Sequence, residues 1–341
     1  MKVCIFDKET RKEDVDSLTC LGLEVNFCDA NDENLFPEYV FESDILIVFK
    51  ANLMVTAKTM VQLKNCFAII RASVGYDNID INSAAAHGIY VFNVPDYGTA
   101  DVADHTIAML LSYMKRICVF NENLHSQAVE RVWNPLPQSM NHRISTLKLG
   151  IIGLGRIGGA VAQRLRAFGV QIYFYDPYLP DGYDQVFVAT RVNELKELFK
   201  LCDVVSIHTP LTHETEGMIT LDLLRVAKKR MIIINCARGK ILRNHTIVEA
   251  LKQNLVEAFI LDTIEEEPIK IGEELYSIAN HDGYRHRLLI TPHAASYDIE
   301  SRRDMHSKAI QLVDNIINDA QVRNCVNKEL LATVKRQIKV L

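Results

Sequence analysis

The stretch Leu149-Gly-Ile-Ile-Gly-Leu-Gly-Arg-Ile-Gly158 restricts the fold of this chain more than any other. An apolar strand enters the glycines Gly153, Gly155 and Gly158, and residues 159–168 continue with helical periodicity. Three glycines at this spacing are a weak pattern alone; the strand before them and the helix after them give it meaning. Gly153 permits a tight turn, Gly155 the close approach of a pyrophosphate, and Gly158 close packing of helix on strand. The helix amino terminus offers the anion free N–H groups and the positive end of its dipole. The next strand ends at Asp176, 18 residues past the last glycine and close to the ~20 expected for a carboxylate that binds an adenosine ribose and repels a 2′-phosphate. Pro177 and Tyr178 follow, so no adjacent Arg neutralises such a phosphate. The pattern predicts NAD as cofactor, in preference to NADP.

Short β-rich runs alternate with helical stretches along most of the chain. The first series lies at 3–6, 24–27, 45–49, 68–71 and 90–93, with helical patterns such as 56–64 and 82–87 between runs. A second series lies at 149–152, 171–175, 204–208, 231–235, 258–261 and 288–290. Strand–helix–strand alternation implies crossover connections and parallel sheets, and runs such as Ile45-Leu-Ile-Val-Phe49 fit strands covered on both faces. The predicted fold class is α/β, with two doubly wound parallel-sheet domains meeting near residues 95–100. A length of 341 residues suits two domains. A long helix is expected after Pro95, capped by Thr99 or Asp101. Val102, Ala103, Ile107, Leu110, Leu111 and Met114 make it apolar over most of its circumference, so it is expected to be buried between two bodies. Asn134-Pro-Leu-Pro137 reads as a loop. After Pro292 only helical spacing is evident, at Met305, Ala309, Leu312 and Ile316.

Lys plus Arg number 38 against 43 Asp plus Glu, a net charge of -5 with no basic block, which disfavours a nucleic-acid partner. No apolar run reaches the ~20 residues of a membrane span, and the opening residues turn charged too soon for a signal peptide. A cytoplasmic location is expected. The 8 cysteines form no Cys-x-x-Cys pair and read as reduced, mostly buried thiols. The 11 histidines show no metal-ligand spacing, so no metal is expected.

Ligands of open α/β sheets collect beyond the carboxyl ends of the strands. In the second series Arg238, Glu267 and His293 all stand at such ends. Reduction of a ketone by hydride leaves an alkoxide that must receive a proton, and histidine is the side chain suited to give one near neutral pH. A neighbouring carboxylate favours the imidazolium and fixes its orientation. An Arg binds a carboxylate or polarises a carbonyl through directed N–H donors. Taken singly, each residue reads as an ordinary surface or structural group; together, beside a nicotinamide site, they read as an acid–base set.

At this point the chain resembles the D-isomer-specific 2-hydroxyacid dehydrogenases along nearly its whole length. The matching motifs include Gly75-Tyr-Asp-Asn-Ile-Asp80, Asn93-Val-Pro95, Val102-Ala-Asp-His-Thr106 and the glycine loop. They continue with His208-Thr-Pro-Leu211, Asn235-Cys-Ala-Arg-Gly239, Glu266-Glu-Pro268 and Thr291-Pro-His-Ala-Ala295. The resemblance implies that His293 is the acid/base, Glu267 its partner and Arg238 the substrate anchor. It implies a Rossmann NAD-binding domain at 99–296 and a discontinuous, flavodoxin-like substrate domain formed by 1–98 and 297–341. It places the substrate carboxylate on the backbone of Ser73, Val74 and Gly75, with Arg71 matching an Arg that some members use for the same anion. It lines the cofactor site with Val102, Arg156, Ile157, His208, Thr209, Pro210, Thr215, Cys236, Ala237 and Ala295, and brings Asp262 to the nicotinamide carboxamide.

Within the family the chain looks most similar to the carboxyl-terminal-binding-protein group, through Phe174-Tyr-Asp-Pro-Tyr-Leu179, His293-Ala-Ala295 with Tyr297, and Asn324-Cys-Val-Asn-Lys328. Ser296 departs from that group's Trp, which loosens the pocket wall. Asp104 stands for the usual Glu. Lys240 replaces a Gly, and would be strained if its backbone were left-handed. The expected function is NAD-dependent, reversible reduction of a small 2-keto acid to the D-2-hydroxy acid. The alternative is an NAD(H)-responsive, corepressor-like binding protein. Formate dehydrogenases work without a carboxylate paired to their histidine, so Glu267 argues against that third reading. If Lys50 reaches the site, a second anionic group on the substrate becomes plausible. The long apolar helix suggests a homodimer.

Overall fold

The computed structural model describes residues 1–7, 11–125, 143–228, 231–281 and 283–341; the expected loop at Asn134-Pro-Leu-Pro137 lies outside them. The chain divides into two compact units, Met1–Gly98 with Asp298–Leu341, and Thr99–Tyr297. Tyr297 thus falls with the second unit, one residue beyond the expected boundary. Each unit holds one sheet.

The first sheet contains β1 (Lys2–Phe6), β2 (Glu24–Phe27), β3 (Ile45–Val48), β4 (Ala68–Arg71) and β5 (Tyr90–Asn93), in the order β2-β1-β3-β4-β5. Every pair is parallel. This is the flavodoxin-like order, whose topological switch lies between β1 and β3. Period-two alternation sends neighbouring residues of each strand to opposite faces. Val3, Ile5, Ile45, Ile47, Ile70 and Phe92 pack with Leu18 and with Ala309, Val313 and Ile316 of the helix Ile299–Ile317. Cys4, Phe6, Leu46, Val48, Ile69 and Val91 pack on the other side with Met60 and Leu63. Both faces are covered, which is why these strands read as unbroken apolar runs. The carboxyl-terminal chain then covers the edge of β5. The Asn327 side chain accepts from the N–H of Val91 (2.9 Å) and donates to the carbonyl of Ile89 (2.9 Å).

The second sheet holds β6 (Lys148–Ile152), β7 (Gln171–Tyr175), β8 (Thr190–Arg191), β9 (Val204–Ile207), β10 (Ile232–Asn235), β11 (Ala258–Leu261) and β12 (Leu288–Ile290). Its order is β12-β11-β10-β9-β6-β7-β8, again all parallel. The order reverses between β6 and β9, as in the Rossmann fold. β8, only two residues long, escapes a periodicity reading. The long helix is Thr99–Met114. Asp101 lies in its first turn, whereas the Thr99 hydroxyl is buried with no partner among the described residues and does not cap it. Ala103, Thr106, Ile107, Leu110 and Met114 are buried, but Asp104 and Ala108 are exposed and Val102 and Leu111 only half-buried.

Candidate active site

The glycine turn lies at the carboxyl end of β6, beside the switch point. Gly153 has φ +86°, and a Cβ there would stand 2.9 Å from the carbonyl oxygen of His208. A Cβ on Gly158 would stand 2.1 Å from the carbonyl oxygen of Gly153, so helix Arg156–Arg166 could not pack as it does. Gly155, by contrast, faces open space and caps that helix without a side chain. Arg156 and Ile157 form its first turn. Asp176 closes the loop from the neighbouring strand: its carboxylate accepts from the N–H of Leu154 (3.0 Å) and of Tyr178 (3.1 Å).

Opposite Gly153, Thr209 Oγ1 and His208 Nδ1 are buried without a partner among the described residues. Burial pushes the His208 imidazole down to about 4, so it is neutral at physiological pH. A polar ligand that threads past Gly155 would satisfy these orphaned atoms, and the open helix end would take its phosphates. The residues present fit a dinucleotide. No Arg is adjacent to Asp176 in sequence, yet Arg191 of β8 donates to the main-chain oxygens of Asp176 (3.0 Å) and Pro180 (2.8 Å). The Thr215 hydroxyl donates to the Pro210 carbonyl (2.7 Å) and accepts from the N–H of Thr212 (2.8 Å). It pins its own loop.

His293 and Glu267 meet. Imidazole Nδ1 lies 2.8 Å from a Glu267 oxygen, with side chains 41% and 30% exposed, so the pair is open to solvent and to a substrate. The other Glu267 oxygen accepts from the N–H of Ile264 (3.2 Å), which fixes the carboxylate. Since that carboxylate accepts at Nδ1, the exchangeable proton of the imidazolium sits on Nε2. His293 itself has φ +52°, a left-handed conformation costly for a side chain with a Cβ. Its N–H donates to the main-chain oxygens of Asp262 (2.9 Å) and Thr291 (3.0 Å).

Asp262 is 2% exposed. Its carboxylate accepts from the Thr291 hydroxyl (2.6 Å) and from the N–H of Ala294 (2.8 Å) and Ala295 (3.0 Å). Burial pushes this carboxyl up, but bonds from His105, Thr291, Ala294 and Ala295 outweigh it and hold the group below the usual carboxylate range. Arg238 follows β10 on a turn shaped by Asn235. The buried Asn235 amide donates to the Arg238 carbonyl (2.9 Å) and accepts from the N–H of Ala237 (3.0 Å). The Arg238 guanidinium donates to the Ala237 carbonyl (2.7 Å). Cys236 beside it is buried, and burial pushes its thiol up to about 12, which makes it inert.

In the first unit, the Ser73–Gly75 turn follows β4. It is held by Ser73 N–H on the Arg71 carbonyl (2.7 Å), by Val94 N–H on the Ser73 carbonyl (3.0 Å) and by the Asn93 amide on the Val74 carbonyl (2.7 Å). The N–H groups of Val74 and Gly75 make no hydrogen bond among the described residues. Arg71 does not lie on the surface: it is 5% exposed and donates to the Asn78 side chain (2.9 Å) and the Val48 carbonyl (3.0 Å).

Residues 107–295 match the family described as D-isomer specific 2-hydroxyacid dehydrogenase, NAD binding domain. The chain belongs to this family. It is 32% identical to the D-3-phosphoglycerate dehydrogenase of Bacillus subtilis (strain 168) over 306 residues, 89% of this chain and 54% of that protein. It is 31% identical to the enzyme of the same name from Methanocaldococcus jannaschii, over 85% of this chain and 53% of the relative. The chain therefore spans about half the length of these curated relatives. A crystal structure of D-lactate dehydrogenase from Aquifex aeolicus, complexed with NAD and lactic acid, superposes with TM-score 0.80 at 26% identity, covering 97% of each chain. The fold is also that of an NADPH-dependent glyoxylate/hydroxypyruvate reductase from Sinorhizobium meliloti, with TM-score 0.83, 24% identity and 99% of each chain covered.

These relatives are named as dehydrogenases and a reductase and lend no support to a corepressor-like reading. Lys240 and Lys50, both singled out in the sequence, now have a physical account. Lys240 sits in the short 3-10 turn Gly239–Ile241 and is not among the residues with positive φ, so it carries no left-handed strain. Lys50 does not present a free charge. Its ammonium bonds the Asp29 carboxylate (2.6 Å), the Ala30 carbonyl (3.3 Å) and the Asn31 side chain (3.2 Å). Sequence reasoning missed Asn235, His105, Thr291 and Arg191 as supports of the site. His105, Asn235 and Thr291 each carried a signal, as members of Val102-Ala-Asp-His-Thr106, Asn235-Cys-Ala-Arg-Gly239 and Thr291-Pro-His-Ala-Ala295, whereas Arg191 carried none.

Proposed function

We propose that the protein is an NAD-dependent dehydrogenase that interconverts a small 2-keto acid and its D-2-hydroxy acid. The His293–Glu267 pair carries this reading: a solvent-accessible imidazole whose Nδ1 is fixed by a carboxylate, in the unit that holds the glycine turn. The bound dinucleotide supplies the hydride that reduces the carbonyl carbon. In that step His293 gives the proton on Nε2 to the developing alkoxide oxygen, and Glu267 stabilises the imidazolium beforehand and the Nδ1–H tautomer afterwards. In oxidation the neutral imidazole takes the hydroxyl proton back. Arg238 directs N–H donors at the carboxylate and the carbonyl of the substrate. Asp176 selects NAD by repelling a 2′-phosphate.

The relatives' names set the acids worth testing, from lactate-like to phosphorylated ones. Lys50 is held by Asp29 and its neighbours, so the reading places no second substrate anion on it. A panel of glyoxylate, pyruvate, hydroxypyruvate and 3-phosphohydroxypyruvate, with NADH or NADPH, tests the proposal. Steady oxidation of NADH with at least one acid is expected, and no turnover with any would sink it. The same reading expects a homodimer, checked by light scattering.

A further inference from the structure

We propose that His105 is a positioning residue: through Thr291 and Asp262 it holds the turn that carries His293. The inference rests on the functional reading above, and it concerns a side chain to which that reading gives no role.

The turn at 291–295 needs external support. His293 is left-handed, and three successive groups around it, Thr291 Oγ1, Ala294 N–H and Ala295 N–H, all donate to the one buried Asp262 carboxylate. A carboxylate bonded this way only accepts, so the single hydroxyl proton of Thr291 points at Asp262. Thr291 Oγ1 is then left to accept from elsewhere. His105, from the helix Thr99–Met114, meets that need: its Nε2 lies 3.1 Å from Thr291 Oγ1 and 3.4 Å from the Asp262 carboxylate. The polarity of the relay is therefore fixed, from His105 Nε2–H to the Thr291 hydroxyl to Asp262. Met109, one helical turn on, touches the same hydroxyl through its sulfur (3.6 Å). The helix thus buttresses the far side of the turn, and the chain of bonds ends on the backbone that sets where the imidazole of His293 points.

Displacing an acid by a fraction of an ångström costs rate without costing substrate affinity, by about ten- to a hundredfold. His105→Leu removes the donor and keeps helix propensity; His105→Gln keeps an N–H near the place of Nε2. For the keto acid that the wild type reduces fastest, the Leu variant is expected to lose about ten- to a hundredfold in kcat, with KM within about twofold. The Gln variant should recover most of the loss. Independently of turnover, hydrogen exchange at the Ala294 and Ala295 amides in the cofactor-free chain should quicken at least about tenfold in the Leu variant and not in the Gln variant. Unchanged kcat in the Leu variant, a loss that Gln does not repair, or unchanged exchange would each overturn the proposal. If the wild type reduces no keto acid, the functional reading falls, and the exchange rates alone decide the role of His105.

Discussion

Among the described residues, two histidine–carboxylate pairs of nearly equal length stand one in each unit. In the second unit His293 Nδ1 lies 2.8 Å from Glu267, with both side chains substantially exposed. In the first unit His306 Nδ1 lies 2.7 Å from Asp14, with side chains only 3% and 9% exposed. His306 also stacks on Phe49 (ring centroids 4.0 Å apart), and its Nε2 faces Asp7 at 3.6 Å. The same contact therefore serves two purposes, and burial decides which. An exposed pair contributes little to stability, and its proton can reach a ligand. A buried pair is costly to desolvate and ruinous to break, and its proton has nowhere to go. His306 joins the helix Ile299–Ile317 to the helix Lys12–Cys20, and we assign it a structural part.

That contrast is open to a direct attack. Replacing the exposed imidazole, His293→Ala, should lower kcat about a thousandfold, or roughly 4 kcal/mol of barrier. NADH affinity and the thermal midpoint should stay near the wild type. Replacing the buried one, His306→Ala, leaves Asp14 buried without its imidazole partner and should cost about 3 kcal/mol of unfolding free energy. Its kcat per folded molecule should hold within about twofold, by urea unfolding and active-site titration. If the His306 variant lost kcat with its stability intact, or the His293 variant unfolded, the division of labour would be wrong.

A third test turns from the proton to the cofactor. Asp176→Ala removes a carboxylate that already bonds the Leu154 and Tyr178 amides, while Arg191 stays on the adjoining carbonyls. The preference for NADH over NADPH, measured as a ratio of kcat/KM, should fall by about tenfold or more. Retention of the full preference would move discrimination away from this residue.

The two pairs also differ in how far the sequence could foresee them. Glu267 and His293 each follow an apolar strand of a recognisable series, and the rule that ligands gather at strand ends brings them together without any knowledge of distance. His306 and Asp14 are 292 residues apart, on two helices whose facing sides no periodicity specifies. The same limit hid Arg191, which reaches Asp176 only because β8 pairs with β7 in a two-residue register, Tyr173 to Thr190 and Phe174 to Arg191. It hid the fate of Lys50 as well, since local pattern does not say that the loop after β2 folds over the end of β3. Strands, glycine turn and acid–base pair were legible because each is a short-range pattern. The bonds that steady them are long-range choices among polar groups, made only when the sheet order is fixed.

The smallest effect comes from a third histidine, which separates burial with a carboxylate from burial without one. His208 has the Ser206 hydroxyl at 2.7 Å on Nε2 and no partner on Nδ1 among the described residues. Burial pushes it down to about 4, below its ordinary value near 6.5. The unfolded chain therefore binds a proton at this residue across that interval and the folded chain does not. Stability from this group is complete above about pH 6.5 and drains away as the pH falls toward 4. The loss should be about 1 kcal/mol between pH 7 and 4.5, allowing for partial access of water. His208→Phe, which cannot take up a proton, should flatten the urea-unfolding free energy across that window relative to the wild type. A variant whose slope matched the wild type would show that His208 is protonated as readily folded as unfolded, and that burial alone does not discharge a histidine here.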